Sequence, residues 1–314
     1  MRFILNIVNK NAIIFAVMTM TTDLRKWMSE INSEKKLFEL NIPGTHDCVT
    51  QYVQLSHFAR CQNLNIYEQL CIGVRALDIR VKPKDERLVM IHAFTKAYNS
   101  SGRFEKQMDF NDVLQHVYRF LDENPSETVI VQFKNDTGKN YEKSFDNLFY
   151  TYIKPEINRW YLENKTPTLG EARGKVVLIR RCLMDENNQE YTDENTGIDF
   201  SKWVEQTEVI PDALVLETGS KDNARFIIQD RYKYKAEPKW IECVKPFLDE
   251  RKKFDGDFVI CYLSTSGGYA GPKNNSFFVN DEFEKYELKS NNYYGTIYLD
   301  FPYRDITRKI IGSN

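Results

Sequence analysis

What this sequence lacks narrows its reading first. Its six cysteines (Cys48, Cys61, Cys71, Cys182, Cys243 and Cys261) and four histidines form no C-x-x-C pair and no Cys/His cluster at metal-ligand spacing. That removes zinc modules and dithiol redox motifs. The formal net charge is only −2 over 314 residues, so no electrostatic case exists for nucleic acid as a partner. No apolar run reaches the length of a membrane-spanning helix, and the C-terminus carries no lipid-anchor pattern. Internal repeats and low-complexity tracts are also missing. What remains is an ordinary globular composition, 42% hydrophobic and 28% charged, enough for one large domain or two medium ones. Aromatics are plentiful at 13%. Most are expected in the core, although a Tyr-rich rim would suit a sugar or lipid interface.

Near the N-terminus, Arg2 and Lys10 flank a broken apolar stretch, and residues 12–18 have the minimum length of a signal-peptide core. No small-x-small cleavage site follows, and Met18 and Met20 are alternative starts. Residues 1–30 are read as an N-terminal segment with signal or leader character, and residues 31–314 as one catalytic body, expected to be a monomer. A secreted or membrane-peripheral location is favoured over a cytoplasmic one. Cys71, Cys182 and Cys261 adjoin apolar runs and are expected as free buried thiols, while pairing of Cys48 with Cys61 stays open.

Short apolar runs at 37–42, 73–81, 88–91, 128–133, 175–179, 225–228, 258–263 and 294–299 read as strands. Helical periodicity appears at 110–123, 141–152 and 238–253. In the first run, Pro43-Gly44 is expected to stop the strand and aim His46 and Asp47 outward. Eight strands separated mostly by helix or long loop fit a single-domain α/β fold, an irregular (β/α)8 TIM-type barrel. It must be irregular because only residues 82–87 join the second and third strands, which is a hairpin rather than a crossover. Residues 182–221 and 267–275 look like insertions. The strand ends are polar: His46 and Asp47, Asp78 and Arg80, His92, Lys134, Arg181, Asp230 with Tyr232, and Asp300. In such a barrel these ends converge on one mouth.

Ile42-Pro-Gly-Thr-His-Asp47, Gly73-Val-Arg-Ala-Leu-Asp-Ile-Arg80 and Ile91-His92 resemble the X-domain signature of phosphatidylinositol-specific phospholipase C, in its bacterial, metal-independent branch. Residues 124–131, 172–178 and 229–233 extend the likeness. The resemblance implies cleavage of phosphatidylinositol to diacylglycerol and inositol 1,2-cyclic phosphate. It makes His46 the general base supported by Asp300, and Arg80 the phosphate clamp. It makes His92, coupled to Asp47, the general acid, with Asp78 orienting Arg80. It assigns Lys134, Arg181 and Asp230 to inositol hydroxyls and Tyr232 to stacking on the ring. Calcium-dependent relatives carry an acid-x-acid pair where this chain has Asp78-x-Arg80, and a guanidinium repels calcium. No metal and no cofactor are therefore expected. The residue after His92 is Ala93, where the family usually has glycine.

Membrane contact is expected to be interfacial and transient, through Tyr269, Phe277 and Phe278. His57 and His116 are read as surface or packing residues. The competing readings are a metal-dependent glycerophosphodiester-type or sphingomyelinase-D-type phosphodiesterase, which Arg80 opposes, and a non-catalytic inositol-lipid binding module.

Overall fold

Among the described residues, seven strands of four residues or more run parallel around a barrel axis: β1 (Ile42–Thr45), β2 (Ala76–Lys84), β3 (Val129–Asn135), β4 (Val176–Arg180), β5 (Arg225–Gln229), β6 (Phe258–Tyr262) and β7 (Thr296–Leu299). The computed structural model describes residues 23–101, 106–136, 145–185, 187–207, 212–290 and 292–314. Most of the leader-like segment, and the start of the helix expected at 141, lie outside these residues. Neighbouring strands pair in the order β5-β6-β7-β1-β2-β3-β4, all parallel. Among the described residues no ladder joins β4 to β5, so the barrel is open on that side.

The eighth expected strand is not a barrel stave. Arg87–His92 folds back antiparallel on the far end of β2, from Val81↔Met90 to Lys84↔Arg87. The short link forbids a parallel crossover, which needs a dozen or more residues. The first strand also begins later than expected. Leu37–Glu39 is a 3-10 turn, and Pro43 and Gly44 lie inside β1 rather than ending it. Pro43 is tolerated where pairing to β2 only begins, and its carbonyl accepts from the Arg75 backbone N–H at 2.9 Å. Gly44 is required because a Cβ there would meet the Tyr298 ring at 2.8 Å.

Strands covered on both faces are apolar along their length, and the core accordingly has three parts. Inward residues such as Ala76, Ile130, Val177, Phe226, Ile260 and Tyr298 fill the barrel. Outside β2–β4, the helix Phe110–Glu123 buries Val113, Val117 and Phe120, and is started by a capping box of Asp109 and Asp112. Outside β6 and β7, Gly271–Lys285 and Arg304–Ile311 bury Val279, Phe283, Ile306 and Ile310.

The boundary expected at residue 30 falls within packed structure. Leu24, Trp27 and Met28 are buried in the barrel core. The fully buried Arg75 fixes this segment. Its guanidinium donates to Glu127 at 2.7 and 2.9 Å, and to the carbonyls of Leu24, Arg25, Leu70 and Val74 at 2.7–3.1 Å. It also lies 4.5 Å from the Phe120 ring centroid. Removing one partner of such a pair strands the other charge in the core. Arg75→Leu is expected to lower unfolding free energy by about 3–5 kcal/mol in chemical denaturation. A loss below 1 kcal/mol would show that this network is not structural.

Candidate active site

Strand register sets the site. Gly44 pairs with Tyr298 and with Ala76, and Ala76 with Ile130. Side chains alternate along a strand, so the inward positions two residues later are His46, Asp300, Asp78 and Gln132. One further step on β2 and β3 places Arg80 opposite Lys134. The pairing of Phe133 with Arg180 on β4 then brings Arg181 beside Lys134. Ile228 pairs with Ile260, so the next inward residues there are Asp230 and Tyr262. A row of three cations (Arg80, Lys134, Arg181) thus stands above a layer rich in carboxylates.

At the centre lies Asp47, nearly fully buried. Its Oδ2 is 3.0 Å from His46 Nε2 and 3.1 Å from His92 Nε2, and its Oδ1 is 3.0 Å from Arg80 Nε. Arg80 also donates to Asp78 at 2.9 Å. Behind His46, Nδ1 is 2.8 Å from Asp300 Oδ1. Behind His92, Nδ1 is 2.8 Å from the carbonyl of Ala59. A carbonyl only accepts, so His92 Nδ1 carries a hydrogen and Nε2 faces Asp47. His92 comes from the hairpin strand rather than a barrel stave, yet reaches the same carboxylate. Asp47 itself has φ +42°, Ala93 +51° and Phe301 +47°, so the backbone turns sharply beside three of the converging groups.

Burial alone would push the Asp47 carboxyl up, but Arg80, His92 and His46 reverse this and hold it far below the usual range. Burial would lower His46, yet Asp47 and Asp300 raise it well above 6.5. Asp300 is pushed up by burial, with His46 opposing. These groups therefore favour a proton on the Asp300–His46–Asp47 line.

Lys134 is 3.1 Å from Asp136 and 2.7 Å from Glu205. Arg181 is 2.9 Å from the same Glu205 oxygen, and its guanidinium stacks 3.8 Å from the Trp203 ring centroid. Asp230 is buried, its backbone N–H donating to Gln206 at 2.6 Å. Tyr232 is half-buried, and burial followed by Glu205 and Asp230 pushes its hydroxyl up to about 12. Arg180 points away from the mouth, to Asp199 and the carbonyls of Thr196 and Cys182. Arg231 reaches the Cys243 carbonyl in the layer behind β5. His57 is exposed, and half-buried His116 borders a separate cavity of about 380 Å³ between the helices Ile66–Cys71 and Phe110–Glu123.

Sequence reasoning missed several contributors. Gln62 donates to the carbonyls of His46 at 2.7 Å and Leu299 at 3.1 Å, tying β1 to β7 beneath the site. Tyr262 accepts from Gln132 at 2.6 Å. Glu205 and Trp203 come from the 182–221 insertion. Gln132 and Tyr262 lie inside apolar strand runs and read there as ordinary inward positions, whereas Gln62, Trp203 and Glu205 follow no strand end or periodic pattern. None of the six cysteines is in a disulfide, so Cys48 and Cys61 are not joined to each other.

Comparison with known proteins gives a consistent picture. Residues 40–182 match the family described as phosphatidylinositol-specific phospholipase C, X domain. The 1-phosphatidylinositol phosphodiesterase of Staphylococcus aureus (strain Newman) is 28% identical over 312 residues, spanning 92% of this chain and 93% of that one. Its namesake from Listeria monocytogenes is 25% identical over 309 residues, spanning 92% and 85%. In fold, the chain superposes on an S. aureus phosphatidylinositol-specific phospholipase C with TM-score 0.75 at 23% identity, covering 93% of this chain and 98% of that one. The L. monocytogenes enzyme gives TM-score 0.71 at 24% identity, covering 93% and 99%.

The raised His46 value has a measurable consequence. Stability from this proton is complete below the unfolded histidine value of about 6.5 and fades as pH rises through the folded value. Histidine NMR titration should place His46 above 6.5, and Asp300→Asn should bring it down. An unchanged midpoint in that variant would mean Asp300 does not support the charge.

Proposed function

We propose that this chain, whose residues 40–182 match the phosphatidylinositol-specific phospholipase C X domain, is a member of that family and cleaves phosphatidylinositol by intramolecular phosphoryl transfer without a metal ion. The carrying observation is the buried Asp47 carboxylate held between two histidines and Arg80. The substrate brings its own nucleophile, the inositol 2-hydroxyl. Asp47 Oδ2 touches Nε2 of both histidines, so the proton that His46 shares with it passes across to His92 as substrate binds. With Nδ1–H donated to Asp300, the freed His46 Nε2 lone pair takes the hydroxyl proton. The O2–P bond forms as the P–O bond to glycerol breaks. His92 Nε2 delivers its proton to the departing oxygen, and Arg80 meets the charge on the non-bridging oxygens. The products are inositol 1,2-cyclic phosphate and diacylglycerol.

Lys134, Arg181, Asp230 and Tyr232 are assigned to the inositol ring. Glu205 neutralises both Lys134 and Arg181, and Asp136 adds a second carboxylate. A pocket so balanced suits neutral hydroxyls and offers little to extra ring phosphates, which favours unphosphorylated phosphatidylinositol over its phosphorylated forms.

Large apolar side chains ring the mouth. Phe94 is 82% exposed, Tyr269 93%, and Phe58 and Phe277 61% each. The turn Ser56–Ala59 carries Phe58, and its Ala59 carbonyl holds His92. It packs beside Tyr269, whose carbonyl lies 3.3 Å from His57 Nε2. The rim thus adjoins the catalytic groups directly, and interfacial contact with a membrane through it is part of this proposal.

Incubation with phosphatidylinositol vesicles in excess EDTA should yield inositol 1,2-cyclic phosphate by phosphorus NMR. His46→Ala and His92→Ala should each reduce the rate by about 10²–10⁴-fold. Activity that requires an added divalent metal would instead favour the metal-dependent barrel phosphodiesterases. No product under either condition would favour the binding module. For the rim, the double substitution Tyr269→Ser and Phe277→Ser should weaken vesicle binding by at least about tenfold. Unchanged sedimentation with vesicles would remove these residues from the interface.

A further inference from the structure

One buried group beside the catalytic residues has no role in the chemistry above. Cys61 is fully buried. Its Sγ, a ring nitrogen of His46 and a carboxylate oxygen of Asp300 all lie within 4.8 Å of one another. The thiol donates weakly to the Ala59 carbonyl at 3.8 Å. The backbone around it is rigidly tied. Cys61 N–H donates to Thr50 Oγ1 at 3.0 Å, and the Phe301 N–H donates to the Cys61 carbonyl at 2.8 Å. Neighbouring Gln62 spans β1 and β7. The sulfur is therefore fixed relative to the imidazole and the carboxylate.

From this geometry we infer that His46, Cys61 and Asp300 form an inhibitory site for a thiophilic divalent transition-metal ion, of which zinc is the type. Sulfur, imidazole and carboxylate are its preferred donors, and three protein ligands leave a fourth position open for water. Tetrahedral zinc sets its ligand atoms roughly 3.3–3.8 Å apart. His46 Nδ1 and Asp300 Oδ1 already lie 2.8 Å apart, so only side-chain adjustments of about 1 Å are needed. A second trio, Asp47, Cys61 and His92, also lies within 4.8 Å. Arg80 stands 3.0 Å from Asp47, however, and repels a cation there. Among the described residues the Asp300 carboxylate pairs with His46 and with no guanidinium. Hard cations such as calcium and magnesium gain nothing from the sulfur.

Burial, then Asp300, pushes the Cys61 thiol well up, which makes it a poor target for oxidation or alkylation. A metal removes that obstacle by replacing the S–H bond with a metal–sulfur bond and releasing the proton to solvent. It also occupies His46, displacing the proton held between Asp47 and Asp300. Binding therefore tightens as pH rises, and the general base is lost while the ion stays. The loss of activity rests on the proposed role of His46; the metal site itself does not.

The test compares wild type with Cys61→Ala, and with Cys61→Ser should the alanine variant fold poorly. In EDTA the variants keep the basal phosphatidylinositol cleavage rate. Micromolar free zinc inhibits wild type, EDTA restores it, and calcium or magnesium at the same concentration has no effect. Losing the sulfur ligand raises the half-inhibitory zinc concentration by at least about tenfold. Cobalt(II) added to wild type gives a sulfur-to-metal charge-transfer band in the near ultraviolet that the variants lack. Equal zinc sensitivity in wild type and variant, or cobalt bound without that band, overturns the site. If no cleavage occurs even in EDTA, the proposed function fails, while the cobalt spectrum still decides whether the site exists.

Discussion

The structure depends on keeping one buried carboxylate charged. Asp47 lies where water cannot solvate it, and an isolated ion there would cost several kcal/mol. Arg80, His46 and His92 surround it at 3.0–3.1 Å, and this compensation fixes the relative positions of everything that reacts. The histidine roles then separate through what lies behind each ring. His46 backs onto a carboxylate, which supports a cation. His92 backs onto a carbonyl, which sets the tautomer but adds no charge. Two similar rings on one anion thus acquire different surroundings, which suits the separate roles proposed for them.

Much of this was legible in the sequence because the barrel converts position along a strand into position in space. Polar residues at the ends of apolar runs converge when the strands are parallel and side chains alternate. His46, Asp78, Arg80, Lys134, Asp230 and Asp300 were found that way, Arg181 was preferred to Arg180 through the family resemblance, and the register accounts for their grouping. What could not be read is equally physical. Pro43 and Gly44 look like a strand stop, but a parallel neighbour and a packed tyrosine ring keep them in β1. Gln62, Trp203 and Glu205 act across long sequence separations from irregular segments, where no periodicity marks them.

The open side of the barrel explains the insertion at 182–221. Its short strand Ile198–Asp199 pairs with β4, and Leu214–Glu217 pairs antiparallel with β5. The insertion therefore caps both edges of the gap left by the missing stave. Between those strands lie Trp203, which stacks on Arg181, Glu205, which binds Arg181 and Lys134, and Gln206, which receives the Asp230 amide. A segment that reads in the sequence only as an insertion supplies both the wall and the counter-charge for the Lys134–Arg181–Asp230 side of the mouth.

Ala93 shows how such a network absorbs a departure from the family pattern. Its φ of +51° is one that glycine adopts freely and alanine only at a cost of roughly 1 kcal/mol. That strain does not reach the imidazole, because His92 is held at both ring nitrogens, and its carbonyl accepts from Thr95 Oγ1 at 2.8 Å. The Ala93 amide donates to Asp136 at 3.3 Å, and Asp136 pairs with Lys134. The strained turn thus links His92 to the cation row. Its conformation is imposed by contacts on both sides, so the methyl group is carried as local strain rather than as a displaced catalytic group.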